Sequence, residues 1–213
     1  PLRIVCALGH LAFARFLLAK GALVGATNDS GEQPIHRAAE AGHVEVVQWL
    51  LDQGAEAEAR CVQGKTPLML ACFEGQAAVT TLLMGVNASV HACSANGETV
   101  MHYAARNGSL ECAKLLRAAG AAIDKRDEDG DTPLSSACGA GSLEVASWLR
   151  KEGAKVKGVS NKLGESPLHL ASEDGSSLEL VGWLVDVGCG VNQRVKSTGF
   201  TPVLCACAAA DPA

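Results

Sequence analysis

A glycine recurs in this chain at a nearly constant interval. Gly31, Gly64, Gly97 and Gly130 are each 33 residues apart, and Gly164 and Gly199 follow after 34 and 35. The residues behind each glycine repeat too: GKTPLMLACFEGQAAVTTLLMGVNA from 64 is matched by GETVMHYAARNGSLECAKLLRAAGA from 97 and GDTPLSSACGAGSLEVASWLRKEGA from 130. A unit of this length cannot bury an apolar face alone, so successive units must stack on one another. The interval therefore argues against a single central core, although 213 residues would otherwise suggest one or two ordinary domains.

Each unit can be read from its residues. In Thr66-Pro67, Thr132-Pro133 and Ser166-Pro167 a hydroxyl suited to capping a helix precedes a proline, whose missing N–H costs nothing at the first helical position. A short first helix starts there and stops at Gly42, Gly75, Gly108, Gly141 or Gly175, residues suited to the left-handed conformation that ends helices. A second helix follows with helical apolar spacing, as at Val44, Val47 and Leu51 or Leu110, Ala113 and Leu116. It ends at Gly54, Asn87, Gly120, Gly153 or Gly188; Asn87 is informative because asparagine best tolerates that backbone after glycine. Polar stretches such as Asn28-Asp29-Ser30-Gly31 and Asp127-Glu128-Asp129-Gly130 then make a tight turn.

A TPLHxA start, an AAxxGH middle and an LLxxGA end at a 33-residue period resemble the ankyrin repeat, and the resemblance covers almost the whole chain. It implies an all-α solenoid of stacked helix-turn-helix units with projecting β-hairpin or turn fingers, the first helices lining the concave side. In this register residues 28–60, 61–93, 94–126, 127–160 and 161–195 are whole repeats, and 1–27 and 196–213 are partial ones. Val100 in place of proline, Gln33 in place of the capping threonine and an inserted residue near Ser176 and Ser177 depart from the pattern, which leaves local geometry open at those places. Both ends stop inside a repeat without a polar capping face, so flanking repeats or another domain of a longer chain are expected to cover them.

Composition narrows the function classes. Lys and Arg number 18 against 23 Asp and Glu, a net charge of −5 with no basic stripe, which argues against nucleic acid as the partner. No apolar stretch approaches the roughly 20 residues of a membrane helix. Nine scattered cysteines and no secretory leader point to reduced thiols and a cytoplasmic or nuclear setting.

The repeat also absorbs most residues that look chemical. Trp49, Trp148 and Trp183 share one position and are expected in the core, and Cys6, Cys72, Cys138 and Cys207 share a small-residue slot too far apart for disulfides. Cys205 and Cys207 lack a second pair for zinc. His36, His102 and His169 fill the slot in which, by the resemblance, histidine bonds the neighbouring turn. Gly64-Lys65-Thr66 lacks the first glycine of a phosphate loop, and Pro67 marks it as a repeat start. The sequons at Asn28, Asn87 and Asn107 carry little weight without a leader; Asn192, with Leu184 eight residues before it, resembles the context in which ankyrin asparagines are hydroxylated. No catalytic motif, cofactor or metal set stands outside the repeat, so an enzyme is not expected.

Large or charged residues the repeat does not explain are the candidates for recognition. On the first helices they are Arg37 and Glu40, Leu70 and Phe73, and Tyr103 and Arg106, each pair three apart on one helix face. Stacked, these pairs predict a groove with an apolar centre and a charged rim, the usual build of a protein hot spot, although Leu70 and Tyr103 also suit packing between repeats. Glu128, Asp129 and Asp131, with Asp127 and next to Glu98, form an acidic turn tip that favours a basic partner, and Lys65 is a further candidate. The expected function is a non-catalytic module holding a partner protein, a peptide or another domain of its own chain. The alternative is a scaffold region of a larger enzyme, ubiquitin-ligase adaptor or channel.

Overall fold

The computed structural model describes residues 1–174 and 177–210, and among them every regular element is a helix. The first helices of successive units are α1 (Leu2–Ala7), α3 (Pro34–Glu40), α5 (Pro67–Phe73), α7 (Val100–Asn107), α9 (Pro133–Gly139), α11 (Pro167–Asp174) and α13 (Pro202–Ala210). The second helices are α2 (Leu11–Ala19), α4 (Val44–Asp52), α6 (Ala77–Gly85), α8 (Leu110–Ala118), α10 (Leu143–Lys151) and α12 (Leu178–Val187).

Local chemistry sets these boundaries. Asn87, at φ 64°, is the one non-glycine residue with positive φ among the described residues, and it ends α6 where Gly21, Gly54, Gly120, Gly153 and Gly188 end the other second helices. Two of the departures noted in the sequence, Gln33 for threonine and Val100 for proline, leave the caps undistorted: Gln33 and Thr99 hold the same extended cap conformation as Thr66, at φ −90°, −86° and −96°. Thr66 and Thr132 accept from the N–H of Met69 and Ser135, as capping hydroxyls should. Thr99 and Ser166 behave differently, because each hydroxyl lies 2.8 Å from Nδ1 of a histidine three residues on. Gly175 and Ser176, the expected stop and insertion, lie outside the described residues; Ser177 caps α12 by accepting from Leu180 N–H at 3.1 Å.

Successive first helices pack closely on one another, whereas successive second helices touch far less, so the first-helix row lies on the inside of the curve. Small residues make that approach possible: Ala38, Ala71, Ala104 and Ala137 are wholly buried between rows of Ile35, Leu68, Met101 and Leu134. Each such fully buried large side chain stabilises its unit by about 1.5–3 kcal/mol. The tryptophans are less internal than the sequence suggests. Trp49 is buried, but Trp148 and Trp183 are half-buried on the outer row, and Phe16 at the same position is 58% exposed. Among the described residues the fingers are tight turns, with one isolated bridge between Cys93 and Thr99.

Candidate partner-binding surface

The fingers are held in register by backbone bonds between units. Val62 N–H donates to Ser30, Ala95 to Gln63, Glu128 to Asn96, Lys162 to Asp129 and Lys196 to Leu163, all within 2.8–2.9 Å. This explains the recurring glycine. Gly64 sits at φ +69°, and a Cβ there would lie 2.7 Å from the backbone nitrogen of Ala95, so any side chain would separate the two tips.

Histidines fix the same fingers from inside. Nδ1 of His36, His102 and His169 accepts the N–H of Gln33, Thr99 and Ser166, which assigns the ring proton to Nε2. Nε2 then donates to the carbonyls of Lys65, Asp131 and Phe200 at 3.2–3.3 Å, tying each unit to the next finger as the resemblance implied, and that of His169 also lies 3.0 Å from the Gln193 carbonyl. Burial lowers the pKa of His36 and His102 and keeps them neutral, which this bonding requires. Arg60 and Arg126 add a clamp, each guanidinium donating to its own tip (Gly64, Gly130) and to the next unit (Cys93, Ser160).

On this frame the candidate residues separate into three places. Arg37 and Glu40, both half-buried, form an ion pair with one another on α3. In the centre the expected exposed apolar strip is corrected: Tyr103 is 1% and Leu70 6% exposed, because both pack between neighbouring first helices. Phe73 alone remains half-open, edge-on to the Tyr103 ring at 6.2 Å between centroids. The Tyr103 hydroxyl donates to Glu98 at 2.8 Å, and Arg106 pairs with the same carboxylate. Burial works to raise the pKa of Glu98, but the Tyr103 hydroxyl and the Arg106 charge outweigh it, so the carboxyl stays below its usual range and ionised. Lys65 Nζ lies 5.7 Å and the Arg106 guanidinium 5.9 Å from the centroid of the Tyr103 ring, so two cations border the ring against which Phe73 packs.

The third place is a cleft of about 310 Å³ beside Arg106, lined by Glu98, Asp127, Asp129 and Asp131 and floored by Ser136, Gly139 and Leu170. Glu128 and Asp129 are exposed, and their backbones serve the finger ladder. Asp131 is half-buried. Its Oδ1 has no hydrogen-bond partner, and burial together with Asp127 and Glu165 raises its pKa, against a bond from Asn161 that lowers it. The sequence reading missed the floor, although a signal was there: Ser136 and Gly139 occupy the positions of Tyr103 and Arg106 one unit earlier, and a drop from large to small residues on one face makes a depression.

The other chemical candidates stay within the frame. All nine cysteines are free thiols, with Cys6, Cys72 and Cys138 buried and Cys207 exposed. Among the described residues no three His, Cys, Asp or Glu side chains converge to hold a metal ion, and no helix is long and apolar enough to cross a membrane. Asn192 is exposed on its turn.

Comparison with known proteins agrees with this geometry. The family model described as ankyrin repeats (3 copies) matches residues 2–92 and 77–159, and that for a single ankyrin repeat matches 163–196. The crystal structure of the human ASB11 ankyrin repeat domain is similar at 30% identity and a TM-score of 0.78, covering 97% of this chain and 91% of that one. A search of curated proteins gave no match.

Proposed function

Since the chain belongs to the ankyrin repeat family, whose domains are generally protein-interaction modules and typically non-catalytic, we propose that it holds a protein or peptide partner along its concave first-helix face and finger tips. The observation that carries this reading is the half-open Phe73. It lies against the buried Tyr103 ring, with Lys65 and Arg106 around it, and the acid-lined cleft opens on the far side of Arg106. An apolar anchor seated among fixed charges is the arrangement in which a few residues supply most of a binding energy.

The repeat does not dictate which side chains stand here. Phe73 and Arg106 vary from unit to unit at positions held elsewhere by Glu40, Gly139 and Glu173, so they are free to serve recognition. The acidic tip supports a partner with a basic segment, whose association the field would accelerate at low salt. The test uses peptides selected by display for retention on the whole chain. Phe73→Ala and Arg106→Ala should each weaken their capture by roughly 1–2 kcal/mol, about 5- to 30-fold, with circular dichroism unchanged. Unaltered affinity in both variants contradicts the reading.

A further inference from the structure

Two residues on consecutive fingers break the pattern of the ladder at the same place. Arg60 and Arg126, four residues before the recurring glycines at 64 and 130, each clamp their own tip to the next unit, but the residue four before Gly97 is Cys93. A cysteine has no arm long enough to clamp the following finger. One position earlier in the repeat stand Ala59, Ala92 and Val159, all buried, and at that position the unit after Cys93 carries Lys125. Lys125 reaches back: its Nζ donates to Cys93 Sγ at 3.0 Å, from one finger to the one before it. The backbone behind the thiol is held, because Arg60 donates to the Cys93 carbonyl at 2.8 Å and Cys93 bridges to Thr99.

Most of the nine thiols are buried, but Cys93 is half-buried and Lys125 exposed, so a small oxidant in solution reaches both. Among the described residues Cys93 is the one thiol to which an amine donates. We propose that Cys93 and Lys125 are a modification site, a covalent and reversible cross-link between two fingers that forms when a peroxide oxidises the thiol. The peroxide O–O bond breaks, one oxygen passes to Sγ to give a sulfenic acid, the other leaves as water, and the sulfur gives up two electrons. The Lys125 ammonium releases a proton to solvent, and the neutral amine attacks Sγ. An S–N bond forms, the S–O bond breaks, and the hydroxyl departs with an amine hydrogen as water. Sulfenic acids condense in this way with backbone nitrogen, and here a more nucleophilic amine already stands against the sulfur. Two equivalents of an added thiol reverse the step, restoring the cysteine and the amine and leaving as a disulfide. The fingers joined are the two that wall the acidic cleft, with Asn96 and Glu98 on one side and Asp127, Asp129 and Asp131 on the other, so the link ties those walls together. This chemistry requires no partner in the cleft.

The experiment treats the folded 213-residue chain with a slight molar excess of hydrogen peroxide, alkylates the remaining thiols, digests the product and sequences the fragments by mass spectrometry. The account expects a peptide pair joined at Cys93 and Lys125, two hydrogens lighter than the sum of its parts and absent after treatment with a thiol reductant. Lys125→Arg keeps the charge and removes the primary amine. It should abolish the pair and leave the sulfenic acid standing at Cys93, so that capture there by dimedone rises roughly fivefold or more. Unfolding the chain in urea before adding peroxide should abolish the pair too, because only the fold brings the two residues together. No Cys93–Lys125 pair from the folded chain overturns the proposal, as does recovery of Cys93 chiefly in a disulfide with another cysteine. Equal dimedone capture by the unaltered chain and by Lys125→Arg overturns it as well, since the amine would then not intercept the oxidised sulfur.

Discussion

The finger ladder and the concave face are built from the same repeat, yet they obey opposite rules. In the ladder every unit does the same thing: a positive-φ glycine lets one tip approach the next, and a backbone N–H crosses to the preceding finger. On the concave face no two units agree. One column runs Arg37, Leu70, Tyr103, Ser136, Leu170, and the next runs Glu40, Phe73, Arg106, Gly139, Glu173. What recurs holds the fold, and what varies on a rigid frame is available to a partner.

The comparison is most easily broken at Gly64. Gly64→Val places a β-branched residue at φ +69° against the backbone of Ala95, and should cost about 4 kcal/mol or more in chemical unfolding. A loss below about 1 kcal/mol would show that the tips part without penalty.

The histidines give the next largest effect. His102→Ala leaves the Asp131 carbonyl and the Thr99 N–H without their partner, a cost of about 2–4 kcal/mol in the same measurement. Units whose third helical residue is Met69 or Ser135 lack this tie, so substitution there should cost less. The same bonding sets a pH dependence. His36 and His102 are neutral when folded and have pKa values below their ordinary 6.5, so the unfolded chain binds more protons in mildly acidic solution. Stability should be level with pH, as far as these groups are concerned, above about 6.5 and should fall as pH drops below it. Urea midpoints between pH 5 and 8 read this directly, and a slope of opposite sign would contradict the tautomer assigned here.

The smallest effect on stability belongs to the variable side. Asp129→Asn removes an exposed charge and should change unfolding by less than about 0.5 kcal/mol, yet it should slow association with a basic peptide at low salt and leave the rate nearly unchanged at high salt. Stopped-flow binding at two salt concentrations separates those outcomes.

The frame was largely legible before any coordinates. Asn87 announced its left-handed backbone, Pro67 and Pro133 announced helix starts, and the histidine slot announced a tie between units. The candidate surface was legible only in part, for a physical reason. A column of residues shows which side chains share a face, but whether a tyrosine there points outward or is covered depends on the spacing between helices, which alanines at 71 and 104 set. Tyr103 is buried because its hydroxyl finds Glu98, five residues back and across the turn, and the exposed strip expected around it shrinks to Phe73. The finger ladder was illegible because backbone groups make it, and they carry no side-chain signature beyond the glycine itself.

The central claim, that recognition sits on the variable concave column, is tested most directly by photocrosslinking. A photoreactive amino acid placed at position 73 on the concave side, or at exposed position 48 on the outer helix α4, is irradiated with a display-selected peptide bound. The account predicts crosslinks from position 73 and none above background from position 48. Crosslinks from position 48 alone would put the partner on the other side of the solenoid and contradict the account.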